Sequence, residues 1–117
     1  MTSLKDAVED LLDRRHPGIE QAADRHFAPG FRQRTNGHWD DRATFVARIA
    51  QLREMVDHAR ITVLDELAVG PRYAERHRIE LVKRDGQRIV QEVYVFAQRD
   101  PDGRFACIEE ATLMLQP

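Results

Sequence analysis

The sequence predicts an α+β domain in which three N-terminal helices pack on a curved, mostly antiparallel six-stranded sheet. Three observations carry this. The last third, Arg72 to Leu115, reads as three long strands joined by the tight turns Asp85-Gly86 and Asp100-Pro101-Asp102-Gly103. Asn36-Gly37 separates two further strand-like stretches and is a strong two-residue hairpin signal. Before and between these, apolar residues recur at helical spacing three times.

Each element has its own justification. Ser3 with Asp6 forms a capping arrangement, and Leu4, Ala7, Val8, Leu11 and Leu12 follow as one apolar stripe. Pro17 suits the first position of a second helix, where its missing N–H costs nothing. That helix carries Ile19, Ala22, Ala23, His26 and Phe27, and Pro29-Gly30 stops it. Phe31 to Thr35 and His38-Trp39 flank the hairpin turn. Asp40 or Asp41 caps a third helix with Phe45, Val46, Ile49, Leu52, Met55 and Val56 on its apolar face, ending near His58. Ile61 to Val69 is a strand closed by Gly70-Pro71, followed by strands over Arg72 to Arg84, Gln87 to Arg99 and Arg104 to Leu115. Short turns leave these only antiparallel pairing. Strands of ten residues or more exceed the usual five or six, so the sheet twists and bends into a cone whose open end is a small-molecule pocket.

Residues 1–117 form one domain, with no repeat, linker or low-complexity segment. At 42% apolar and 32% charged it has the composition of an ordinary globular protein. Eighteen basic against twenty acidic residues give a net charge of −2, which argues against a nucleic-acid partner. No apolar run nears the roughly 20 residues that cross a bilayer, so no membrane partner is expected. The start, Met1 to Asp6, lacks the pattern of a signal peptide, and the one cysteine, Cys107, cannot close an internal disulfide; a reducing cytoplasm is the expected location.

Strand alternation groups the ionisable residues. Ile108, Glu110, Thr112 and Met114 share one face of the last strand; Cys107, Glu109, Ala111, Leu113 and Leu115 share the other. On the preceding strand Glu92, Tyr94 and Phe96 oppose Gln91, Val93 and Val95. Composition leaves open which set faces inward. A Glu110 turned inward would have a raised pKa and suit proton transfer; turned outward, it would pair with a neighbouring arginine. Glu92 is expected to bond Arg76 or Arg78 across the ladder. His77, the one histidine placed in a long strand, suits proton shuttling, and also suits a satisfied polar core position. His16, His26, His38 and His58 fall at helix ends or turns, and no His-x-His or His-Glu-x-x-His spacing suggests a metal. Trp39 is expected to pack at the mouth of the cone, and Cys107 to be a small buried residue. Arg72, Arg76, Arg78, Lys83, Arg84 and Arg88, interleaved with Glu75, Glu80 and Asp85, read as a salt-bridged sheet surface.

His26-Phe27-Ala28-Pro29-Gly30-Phe31, the run Asp102-Gly103-Arg104-Phe105-Ala106-Cys107-Ile108-Glu109-Glu110 and the element order resemble the nuclear transport factor 2-like superfamily, particularly its SnoaL-like polyketide cyclase branch. The resemblance covers essentially the whole chain. It implies a cone-shaped fold and puts Glu110 inside, where the limonene epoxide hydrolase branch has a catalytic aspartate on the last strand. Arg76 falls where that branch has an arginine, but the partner aspartate two positions on is replaced by Arg78, which argues against epoxide hydrolysis. With no tyrosine before Tyr73, the steroid isomerase pattern is absent too.

The expected site therefore has Glu110 as acid–base group, His77 or Tyr94 as its hydrogen-bond partner and Arg76 as anion stabiliser. Phe27, Phe31, Trp39, Glu92, Phe96, Ile108, Thr112 and Met114 are expected to line the pocket. Two readings stay open. One is a cofactor-free cyclase, isomerase or dehydratase acting on an apolar ring or polyketide-like compound. The other is a non-catalytic module binding a small ligand or a protein through the same cavity. Three short helices cannot cover both faces of six strands, so a homodimer through the convex face is expected, using Val93, Leu113 and Leu115.

Overall fold

The computed structural model describes residues 3–13 and 18–115. Among these residues the order is α1 (Leu4–Leu12), α2 (Ile19–His26), β1 (Phe27–Thr35), β2 (His38–Asp41), α3 (Arg42–Met55), β3 (Val56–Val69), β4 (Arg72–Lys83), β5 (Arg88–Arg99) and β6 (Phe105–Leu115). One sheet has the order β2-β1-β6-β5-β4-β3, antiparallel throughout except that β1 and β6 run parallel. Three helices on a six-stranded, mostly antiparallel sheet is the predicted architecture.

Local chemistry explains most boundaries. The Ser3 hydroxyl accepts from the Asp6 amide at 3.1 Å, and the Asp41 carboxylate accepts from the Thr44 amide at 2.8 Å, so α1 and α3 start where capping side chains stand. Asn36 and Gly37 both hold positive φ (51° and 87°), the backbone of a type I′ turn between β1 and β2. The Asn36 side chain then bonds the Thr112 hydroxyl and amide, fixing this hairpin to β6. Pro17 and His16 lie outside the described residues; α2 begins at Ile19 with Gly18 at its N-cap.

Two boundaries differ from expectation. β1 begins at Phe27 and runs through Pro29-Gly30, because its pairing with β6 skips between Phe27 and Arg32 and so leaves no ladder bond for the proline to lose. α3 stops at Met55 rather than near His58, since Val56 is buried and pairs with Lys83 as the first residue of β3. His58 consequently lies in a long strand beside Asp57, so His77 is not alone in that respect.

The helices cover one face of the sheet. On that inner face β4 places Tyr73, Glu75, His77, Ile79 and Leu81, all buried, while Arg72, Arg76 and Arg78 are exposed on the open face. β5 turns Val93, Val95 and Ala97 inward, and leaves Tyr94 and Phe96 40% and 76% exposed. Phe27, Phe31 and Phe45 form a mutually packed triangle with centroids 4.6 to 5.2 Å apart, joining the start of β1 to α3. Phe105 and Tyr73 continue this packing at 5.6 Å, under the Arg99 guanidinium. Asp10 ties α1 to α2 through His26 (2.6 Å) and Arg25 (2.7 Å).

Phe27 is 1% exposed and packs against Phe31 on its own strand, Phe45 on α3 and Phe105 on β6. Phe27→Ala is expected to lower the unfolding free energy by about 3–5 kcal/mol in a urea titration. A loss under about 1 kcal/mol would contradict this account of the core, because so small a change is typical of surface positions.

Candidate functional site

A cavity of about 160 Å³ lies between the helices and the inner face. α1 and α3 supply an apolar roof that includes Leu11, Phe45 and Leu52; Ile79, Val93 and Ile108 form an apolar floor. Five polar residues interrupt it: Gln33 on β1, His77 on β4, Gln91 on β5, and Glu110 and Thr112 on β6. A mostly apolar cavity with a few convergent polar groups is the usual form of a small-molecule site.

Glu110 sits on this wall through strand pairing. It stands opposite Val95 on one side and Thr35 on the other. Its Oε1 accepts from the Gln33 amide nitrogen at 3.1 Å and from the Thr35 hydroxyl at 3.4 Å. Burial raises its pKa above the ordinary carboxyl value; His77 and the Thr35 hydroxyl oppose that shift without cancelling it. A half-buried carboxyl held toward its neutral form donates a proton readily.

His77 is held from behind. Its Nδ1 lies 2.7 Å from Oε2 of Glu75, whose side chain is fully buried. With Nδ1 engaged, Nε2 is the ring nitrogen left for chemistry at the cavity wall. A carboxylate behind a histidine fixes ring orientation and tautomer, and stabilises the imidazolium formed when the ring accepts a proton. Among the described residues no three His, Cys, Asp or Glu side chains group as a metal site.

The structure thus brings together some of the expected site and separates the rest. Glu110, His77, Phe27, Ile108 and Thr112 line one cavity. Arg76 and Tyr94 lie on the opposite face of the sheet: Arg76 is bonded to Asp65 through Nε (3.1 Å) and a terminal nitrogen (2.7 Å), and the Tyr94 hydroxyl donates to Glu92 at 3.2 Å. Glu92 and Phe96 share that open face. Glu92 stands opposite Arg78 in the ladder, but its bond is to Tyr94 on its own strand. Phe31 is buried in the aromatic triangle rather than at the cavity, and Met114 is 61% exposed. Trp39, on β2, is 43% exposed under the Arg32 guanidinium at 4.6 Å, not packed at a mouth. Cys107 is half-buried on the open face, with Arg32 close by. Val93, expected outside, faces the cavity.

Sequence reasoning missed Gln33, Gln91 and above all Glu75, which it assigned to a salt-bridged surface. Glu80 does form such a pair, with Arg88 at 2.8 Å. The available signal for Glu75 was parity: it alternates with His77, Ile79 and Leu81, two of which are apolar.

Several solved structures are similar to this chain in overall shape. A candidate isomerase from Rhodopseudomonas palustris superposes with a TM-score of 0.77 at 16% identity, covering 96% of this chain and 91% of the other. A candidate SnoaL-like polyketide cyclase from Jannaschia sp. CCS1 gives 0.67 at 18% identity, over 96% and 90%. An NTF2-like protein of unknown function from Exiguobacterium sp. 255-15 gives 0.68 at 16% identity, over 96% and 98%. No protein-family model matches the chain, and no curated protein matches it. With nearly the whole of each chain covered at TM-scores of 0.67 to 0.77, the chain has the nuclear transport factor 2-like fold.

Proposed function

We propose that the protein is a cofactor-free acid–base enzyme that moves a proton on a single-ring apolar compound. The observation that carries this reading is the convergence of Glu110 and the Glu75-backed His77 on one small apolar cavity. At about 160 Å³ the chamber is close to the roughly 150 Å³ that admits a benzene-sized molecule, so one ring fits and a fused polyketide skeleton does not. His77 Nε2 takes a proton from carbon next to a carbonyl, and Glu110, held toward its neutral form, donates to the developing oxyanion or to the far carbon. Isomerisation follows if donor and acceptor act at different carbons, and dehydration if a hydroxyl leaves. One of the similar structures, the candidate isomerase, belongs to a protein named for a reaction of this class.

The test is deuterium incorporation from heavy water into a panel of single-ring ketones. Wild-type protein is expected to label one of them, Glu110→Gln to label it about 10²–10⁴-fold more slowly, and Arg76→Ala at the wild-type rate. Ligands that bind in the cavity without exchange at any carbon would instead establish a non-catalytic binding module.

We further infer that the open face pairs with a second copy. Leu67, Val69, Phe96 and Leu113 are each at least half exposed there, around a depression lined by Leu67, Val69 and Phe96. So much contiguous apolar surface is characteristic of an interface. No helix among the described residues is long and apolar enough to cross a membrane, and the unpaired Cys107 suits a reducing compartment such as the cytoplasm. Light scattering is expected to give twice the chain mass at micromolar concentration, and Phe96→Glu the mass of one chain. A wild-type monomer under those conditions would overturn the pairing.

A further inference from the structure

The five polar residues of the cavity wall are not equally engaged. The Gln33 amide nitrogen donates to the Thr35 hydroxyl and to Glu110, each at 3.1 Å, and the Thr112 hydroxyl accepts from Asn36 at 2.9 Å. His77 keeps one ring nitrogen on Glu75. The Gln91 amide, partly buried in the same wall, has no hydrogen-bond partner among the described residues. An amide withdrawn among apolar groups costs stability unless a hydrogen bond satisfies it, and its flanking side chains in the ladder, Ile79 and Met114, are apolar.

Position along the strands orders the groups that face a ligand. Glu75, Val95 and Glu110 share one row of the ladder, His77, Val93 and Thr112 the next, and Ile79, Gln91 and Met114 the one after. His77 therefore stands between Glu110 and Gln91. Four residues of strand separate the outer rows, about 14 Å at the usual rise. Glu110 and Gln91 each reach into this gap with a long side chain, which leaves room between their tips for one six-membered ring and an oxygen at either end. The cavity volume of about 160 Å³ sets the same limit. Met114, beside Gln91 and 61% exposed, marks where this end of the wall meets solvent. An uncharged amide suits that end, since its oxygen accepts from a hydroxyl and its nitrogen donates to a carbonyl.

We propose that Gln91 is the far contact of a two-point site, and that the ring compound bound here carries oxygens on two opposite carbons. This rests on the reading of Glu110 and His77 as the acid–base pair. One oxygen, that of the ketone that becomes an enol, accepts from Glu110. The other, a hydroxyl or a carbonyl, bonds the Gln91 amide. The ring carbons between them then lie against His77 Nε2. Gln91 exchanges no proton with the substrate; it decides which carbon His77 meets. A ring with a single oxygen is free to turn in an apolar chamber, whereas one held at both ends presents the same edge each time.

The experiment compares the binding of phenol, catechol and hydroquinone by isothermal titration calorimetry on the full chain in oxygen-free buffer. Each is a planar single ring whose hydroxyl stands in for the enol oxygen, and hydroquinone alone has its second oxygen on the opposite carbon. Wild-type protein is expected to bind hydroquinone about tenfold more tightly than phenol or catechol, the effect of one hydrogen bond. Gln91→Leu is expected to bind hydroquinone no more tightly than phenol, and to hold phenol as the wild type does, which also shows that the variant is folded. The proposal is overturned if wild-type protein shows no preference for hydroquinone or binds none of the three, or if the preference survives in Gln91→Leu. Equal loss of phenol in that variant would make Gln91 a structural residue and overturn it too. Ring-ketone labelling stands or falls separately: preference without exchange removes the enzymatic reading, and exchange without preference removes the Gln91 contact.

Discussion

Side-chain parity on three adjacent strands is the constraint on which the rest depends. In the ladder Glu75, Val95 and Glu110 form one row, and His77, Val93 and Thr112 the next. All six point toward the helices. A slip of one residue would turn them outward and bring Arg76, Tyr94 and Glu109 into the core. Such a slip would bury an arginine and a glutamate among aliphatic side chains, a cost far above that of any single contact here. The register is pinned by the turns at both ends of the strands and by Asn36, whose side chain stitches the β1–β2 hairpin to β6.

Once parity is set, the chemistry follows from burial. The aromatic triangle closes α3 onto β1, and α1, packed against β3, roofs the cavity with α3, leaving a chamber too small for a large ligand and nearly free of charge. In such surroundings each retained polar group has a strong effect. Glu110 is shifted toward its neutral form by the same desolvation that makes the chamber apolar. His77 is oriented by Glu75 Oε2, 2.7 Å from its Nδ1. The open face has the opposite character: ion pairs such as Arg76–Asp65 are solvated there, alongside apolar groups that a second copy would cover.

What was legible in the sequence was whatever short-range chemistry determines. Ser3 and Asp41 cap the helices, Asn36-Gly37 makes the hairpin, and Gly86 and Gly103 take φ near 90° in the turns identified from Asp-Gly pairs. Parity was only partly legible: Ile79 and Leu81 mark one face of β4, but β5 and β6 carry polar and apolar residues on both faces. Tyr94 and Phe96 attracted assignment to the pocket as aromatic residues, yet they cover the open face, and the smaller Val93 and Val95 face inward. Arg76 and His77 were placed in one site although consecutive strand residues point to opposite sides. Glu75 was lost among surface charges because its partners, Tyr73 and Glu66, are fixed only by the β3–β4 ladder.

The central claim is that Glu110, and not Glu109, is the carboxyl enclosed between sheet and helices. Since burial raises the folded-state pKa of Glu110, the unfolded chain releases this proton first as pH rises, and folding stability falls from about 4.5, its ordinary value, up to the higher pH at which the folded carboxyl ionises. Urea unfolding across that window, compared between wild type, Glu110→Gln and Glu109→Gln, measures this directly. The wild-type stability relative to Glu110→Gln should decline with rising pH, while Glu109→Gln should retain the decline. A decline abolished by Glu109→Gln, or one that survives in Glu110→Gln, would contradict the account.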